Sequence, residues 1–465
     1  MFCKNIRKRS GFVWLLIPAV VCAAPPDLRV VAAMARQDTA AVRALVRQKA
    51  DVNAAQSDGA TALQWAAHWD DLEAARLLID AGADVNAANE YGVTPLALAC
   101  VNGSAAMVDL LLRAGANPNA AQATGETPVM TCARTGNADA VKLLIQQEAD
   151  VNARETWKSQ TALMWAAANQ HPETVRLLLA RGADVHARTK GGFTPLLFAA
   201  QQGNIASAQA MLEAGADINE AAPDGMTPLL LAAASGHQAF ALFLLEQGAD
   251  PKAATERGYT ALHYAAAGRN QLELAKALLA HGADPNARLT KGEPGATPFY
   301  LAAAAGNVAV MRALAEAGAD PNTPTKEGTT ALMVAAGVGR FESRSEAQEK
   351  NALEAVKLAL ELGSDVNAVG ENGWTALHGA GYIGSDAIIQ VLVEHGARLD
   401  VKDAFGQTPL SIAEAVVTRG LGENADVRPR RYRESTVNLL LRLGATPTAQ
   451  AGVEVVGSMA VRPSE

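Results

Sequence analysis

From Gly225 to Asp250 the chain reads GMTPLLLAAASGHQAFALFLLEQGAD, with Glu246 the one charged side chain before Asp250. Helical spacing puts Leu229, Ala232 and Ala233 on one face of a short helix, and Phe240, Phe243, Leu244 and Leu245 on one face of a second. Thr227 followed by Pro228 predicts the start of the first helix. The threonine hydroxyl can accept from a free helix N–H, and proline has no N–H to leave unpaired. Gly236 and Gly248 predict the two helix ends, where a left-handed residue is wanted. So apolar a stretch could be a membrane span, the lining of a cofactor pocket, or one unit of something repeated.

Periodicity separates these. GATALQWAAHWD begins at Gly59, GVTPLALACVNG at Gly92, GETPVMTCARTG at Gly125, GYTALHYAAAG at Gly258 and GWTALHGAGYIG at Gly373. The corresponding threonines are 61, 94, 127, 161, 194, 227, 260, 297, 330, 375 and 408. Their spacing is 33 in seven of ten intervals, and 34, 37 and 45 in the others. A second marker trails, as AGADVN from Ala81, RGADVH from Arg181 and HGADPN from His281. This pattern resembles the ankyrin repeat, Gly-x-Thr-Pro-Leu-His-x-Ala-Ala followed by Leu-Leu-x-x-Gly-Ala-Asp-x-Asn, and His263 and His378 keep its histidine. The resemblance implies an all-α solenoid of about 12 helix-turn-helix units joined by β-turn tips. Eleven units occupy 56–446, after a degenerate capping unit at 25–55. A lone helix pair cannot bury both of its faces, but stacked pairs can. The apolar run is therefore neither span nor pocket.

Departures from the period mark places to watch. At Glu148 the helix-ending glycine is replaced, which predicts a strained left-handed residue. Two insertions, near 341–352 and 418–433, fall between the two helices of their units, and insertions in solenoids gather on one face. From Pro447 the pattern stops, and 447–465 is expected to be a disordered tail.

The N-terminus belongs to targeting rather than to the fold. Lys4, Arg7, Lys8 and Arg9 precede an apolar run from Gly11 to Val21 and the small residues Ala23 and Ala24. This predicts a signal peptide over 1–24, cleaved near Ala23 or Ala24. The run is short for a membrane anchor, and Val21 is bulky for lipoprotein processing at Cys22. Cleavage removes four of 40 basic residues and leaves 36 against 48 acidic, a net charge of −12. Such a chain has no general attraction to nucleic acid or anionic lipid. The mature protein is expected to be periplasmic or secreted, not inserted in a membrane, and monomeric. Two cysteines remain, Cys100 and Cys132, in the alanine slot of adjacent first helices. They are expected to be small buried residues. Repeats about 10 Å apart make a bridge between them awkward, and whether both are free is left open.

The eight histidines form no spaced metal pair, and no phosphate loop or nucleophile elbow occurs. No catalytic residue, cofactor or metal is expected. In proteins with such repeats, partners dock on turn tips and first helices, on the concave face. Here those positions carry Trp69, Tyr91, Trp157, Lys158, Phe193, Arg257, Tyr259, Trp374, Tyr382 and Phe405, in a chain only 5% aromatic. Aromatics and arginine are the usual anchors of interfaces. Trp65, Trp165, Phe198 and Tyr264, four residues after their threonines, are expected to be packing. The function expected is a non-enzymatic, exported protein-interaction scaffold. A hydrolase or redox accessory role using the two insertions is the alternative.

Overall fold

The computed structural model describes residues 27–339, 344–418, 432–450 and 455–458. The predicted signal segment at 1–24 lies outside the described residues, as do 340–343 and 419–431 within the two insertions. The described residues form 24 helices and two short strands. The chain divides into two compact units, 1–122 and 123–465.

The first unit holds three helix pairs. Its opening pair, Arg29–Ala35 and Thr39–Arg47, buries Val30, Val31, Met34 and Val42 and leaves Arg36, Arg43, Arg47 and Lys49 exposed. A terminal repeat with one polar face is what a stacked array needs at its end. The pairs that follow are Ala62–His68 with Leu72–Asp80, and Pro95–Val101 with Ala105–Arg113. Side-chain amides tie one repeat to the next. Asn53 Nδ2 donates to Gly82 O at 3.0 Å, while Asp84 N donates to Asn53 Oδ1 at 2.7 Å. Asn86 does the same one repeat on, donating to Gly115 O at 3.1 Å and accepting from Asn117 N at 2.7 Å, so each of these two amides satisfies a helix-end carbonyl and a turn N–H in the next repeat.

The second unit holds nine helix pairs among its described residues. The stretch from Gly225 folds as its pattern predicts. Pro228–Ala234 is helical, and the Thr227 hydroxyl accepts from Leu230 N at 3.3 Å. Gly236 follows at φ 78°, Gln238–Glu246 is the second helix, and Gly248 sits at φ 92°. Leu229, Ala232, Ala233, Phe240, Leu244 and Leu245 are buried, and Phe243 is half-buried. Successive tips are stitched by single backbone bonds, as from Glu256 N to Asp224 O and Thr290 N to Arg257 O, both 2.9 Å. Glu148 is left-handed, at φ 62°.

The departures are resolved in three ways. The interval of 37 residues makes a longer tip, pinned by buried Leu289 against Tyr300 and Tyr259. The described part of the first insertion is mostly helix. A 16-residue helix, Glu346–Glu361, begins inside it, capped reciprocally by Ser345 and Gln348. Arg344 is 3% exposed at its side chain and donates to Ala335 O at 2.5 Å, which ties the helix entry to the preceding helix end. In the last repeat the first helix is only five residues, Pro409–Ala413, and Ala415 at φ 57° ends it. The chain then runs extended. Val416–Thr418 pairs antiparallel with Val455–Ser458, a segment expected to be disordered. At 455–458 the backbone is a paired strand, and a helical period along the sequence carries no trace of such a ladder.

Cys100 and Cys132 lie in the first helices of their repeats, fully buried, and both are disulfide-bonded. The buried slot is the expected one, and the state of the thiols, left open by the sequence, is the bonded one.

Candidate functional site

First helices turn one row of side chains inward to the stack, and in six consecutive repeats of the second unit, from Thr161 to Thr330, the residue four after the threonine stays half open. This half-open row comprises Trp165, Phe198, Leu231, Tyr264, Leu301 and Val334, all half-buried. Four consecutive first helices here, PLLLAAA, ALHYAAA, PFYLAAAA and ALMVAA, contain no Asp, Glu, Lys or Arg. Beyond the row, Ala234, Ser235, Ala267 and Ala305 are exposed and small. A helix that is apolar all round is normally enclosed; these helices keep one apolar side open.

The residues picked out from sequence fall into two groups. Trp157, Lys158, Arg257 and Phe405 are exposed in the second unit. Phe193, Tyr259, Trp374 and Tyr382 are half-buried there, leaning on neighbours. Phe193 lies 5.7 Å from Phe198, and Tyr259 stacks on Tyr264 at 5.3 Å. The Trp374 indole N–H donates to Asp403 at 3.1 Å, and its ring lies 5.9 Å from Tyr382. In the first unit Tyr91 is exposed, and Trp69 is exposed while stacking on Trp65 at 6.0 Å. Tip aromatics and the row four after each threonine are therefore one continuous surface at Phe193–Phe198 and Tyr259–Tyr264. Trp165 and its equivalents were expected to be packing alone. They pack with one edge and show the other, which a single-residue reading of helical phase does not separate. Trp165 also carries the Arg134 guanidinium over its ring at 5.2 Å.

The buried titratable groups are committed to structure. His263 Nδ1 accepts from Thr260 N at 3.2 Å and Nε2 donates to Ala296 O at 3.4 Å. Burial lowers its pKa to about 4, opposed by the backbone bonds at Ala296 and Ala287. His378 holds the matching place, with Nδ1 accepting from Thr375 N at 3.1 Å and its pKa lowered by burial. Burial raises the Tyr300 phenol, helped by the Glu293 and Glu327 carboxylates. Among the described residues no group of three His, Cys, Asp or Glu is placed to hold a metal, and no helix is long and apolar enough to cross a membrane.

The family models bear on the whole array. The model described as Ankyrin repeats (3 copies) matches 30–122, 117–189, 154–222, 196–289 and 345–427, and that described as Ankyrin repeat matches 295–326. This chain belongs to the ankyrin repeat family. Its relatives include Ankyrin repeat and SOCS box protein 16 of Homo sapiens, 35% identical over 142 residues, which are 30% of each chain. Protein phosphatase 1 regulatory subunit 12A of Mus musculus is 33% identical over 89 residues, 19% of this chain and 8% of that one. Putative ankyrin repeat protein YahD of Escherichia coli (strain K12) is 36% identical over 110 residues, 22% of this chain and 51% of that one. The matched segment is thus at most about half the length of these relatives. Ankyrin arrays generally mediate protein–protein interaction, and the half-open row is where this one has surface to offer.

Proposed function

We propose that this ankyrin array is an exported, non-enzymatic scaffold that holds a partner protein on the first-helix face and tips of its second unit. The observation that carries this reading is the half-open row from Trp165 to Val334, beside four first helices without Asp, Glu, Lys or Arg. Solvent-facing apolar surface of that continuity marks interaction sites. The preformed helices spare the partner much of the ordering cost of binding. Export is supported by the basic-then-apolar N-terminus and by two buried cysteines held as disulfides, which persist in oxidising compartments. The first insertion favours the scaffold over a hydrolase or redox role. Its buried Arg344 anchors a helix end, and its Ser345 and Gln348 side chains cap a helix.

Quantitative crosslinking of the mature protein in its native compartment tests this, comparing wild type with the double variant Leu231→Lys, Tyr264→Lys. Both side chains are half-exposed, so the helical circular dichroism spectrum should be kept while the crosslinked partner is lost. Undiminished crosslinking by a folded double variant would remove the first-helix face from the reading.

A further inference from the structure

The tip at Thr156–Ser159 is built differently from its neighbours. It is one residue longer, within the interval of 34 between Thr127 and Thr161. Ser159 takes the left-handed conformation at φ 58° where most other tips place glycine. Glu155, 6% exposed, turns its carboxylate inward and accepts from Trp157 N at 2.6 Å and from Lys158 N and Gln160 N at 2.8 Å. A carboxylate is costly to bury unless charge-assisted bonds compensate it, and these three bonds also fix the loop. What the fixed loop presents is Trp157, 78% exposed, the most exposed of the large apolar side chains described. A rigid loop holding an indole in water is a preorganised anchor.

The charged side chains nearest the indole are two lysines. The Lys158 ammonium lies 4.7 Å from the centre of the Trp157 ring. Lys190, on the next tip, donates its backbone N–H to Lys158 O at 2.9 Å and its ammonium to Thr156 O at 2.7 Å. Arg154 reaches the Arg188 carbonyl at 2.7 Å, and Arg188 bonds Glu220 at 2.7 Å. The carboxylates near these cations are Glu155, turned inward, Glu220, held by Arg188, and Asp184, 4.0 Å from Arg154. Among the described residues no carboxylate lies within ion-pair distance of Lys158 or Lys190. On a chain of net charge −8, two adjacent tips thus present outward cations beside an exposed indole.

Resting on the protein-interaction reading above, we infer that the Trp157–Lys158–Lys190 tips receive an acidic, Asp/Glu-rich segment of the partner protein. Its carboxylates meet the two ammonium groups, and an apolar side chain covers the indole. The patch is only two tips wide and the rest of the chain is acidic, which favours a narrow peptide over a lipid surface or a nucleic acid.

The test uses the full mature chain, with fluorescence anisotropy of a labelled Glu-rich peptide, its Gln and Lys counterparts, and binding to phosphatidylglycerol vesicles. The Glu-rich peptide should bind roughly tenfold more tightly than the Gln form at low salt, and lose that margin as salt rises. Trp157→Ala should weaken it several-fold, and the double reversal Lys158→Glu, Lys190→Glu should shift preference to the Lys-rich peptide. All three side chains are exposed, so thermal unfolding of these variants should match wild type. Equal binding of the Glu and Gln peptides, no binding of the Glu-rich peptide, or vesicle binding without peptide binding would each overturn the inference. If partner crosslinking is lost in Leu231→Lys, Tyr264→Lys but unaffected in the tip variants, the scaffold reading stands and this inference fails. If neither set of variants affects it, both fail.

Discussion

His263 gives the array a predictable weakness to acid. Its Nδ1 accepts the Thr260 N–H at 3.2 Å and lies 2.9 Å from the Thr260 hydroxyl, and its Nε2 donates to Ala296 O at 3.4 Å. Those partners require the neutral ring with its proton on Nε2. Protonating Nδ1 would place a charge in a fully buried site and turn an acceptor toward an N–H. The folded pKa is about 4, against an ordinary 6.5. The unfolded chain therefore takes up this proton first. The contribution of His263 to stability is complete above pH 6.5 and is lost as pH falls toward 4, by about 3 kcal/mol over the range. A matched control exists within the chain. Gln64 fills the same slot, accepting from Thr61 N at 2.6 Å and donating to Val93 O at 2.6 Å. His263→Gln should therefore keep the cap and remove the titration. Repeat arrays open piecemeal, so the readout is native-state hydrogen exchange of the helix Ala261–Ala267, corrected for intrinsic rates, at pH 7.5 and 4.5. The wild-type helix should lose protection on the order of a hundredfold more than the variant. His378 stays in both proteins, its pKa lowered in the same sense, and cancels from the comparison. Equal losses would refute the buried-neutral account of the slot.

Three further outcomes follow from backbone and thiol chemistry. Glu148→Gly relieves a left-handed non-glycine at φ 62° and should stabilise the protein by about 1 kcal/mol, read as a higher melting temperature; a lower one would show that the repeat register at 148 is misjudged. Gly373→Ala should cost roughly 1–3 kcal/mol, because φ is 78° and an added Cβ would lie 2.7 Å from Asp403 Cα and 2.8 Å from Ala404 N. Gly396→Ala, at φ 88° with no atom within 4 Å of the added Cβ, should cost only about 1 kcal/mol; urea midpoints that rank the two the other way would discount the tip contact. Residues 25–465, expressed with export and unfolded without reductant, should show no titratable thiol, since Cys100 and Cys132 are the cysteines present and both are disulfide-bonded; two free thiols would contradict the bonded state.

The repeat was legible because its signals are local and redundant. A cap at Thr227, proline at 228, and glycines at 236 and 248 each act within one turn of the chain, and the same grammar returns throughout the array. Where the grammar changes, legibility ends. Glu155 was invisible as a loop organiser, since a carboxylate at a tip reads as solvated until its three N–H partners are placed around it. Val455–Ser458 was read as patternless because its partner, Val416–Thr418, lies across a sequence gap that no helical period spans. The site shows the same division. Trp157 and Tyr91 could be named from their places on tips, since a tip residue with nothing stacked beyond it has only water to face. Trp165, Phe198 and Tyr264 were assigned to packing because four residues after a cap is the edge of the buried stripe, where a large ring is enclosed on one side and open on the other. A side chain at such an edge does both jobs at once: it holds its repeat against the next and offers its remaining surface to a partner. Substitutions there should therefore weaken binding and stability together, whereas those at Trp157 or Lys158 should weaken binding alone.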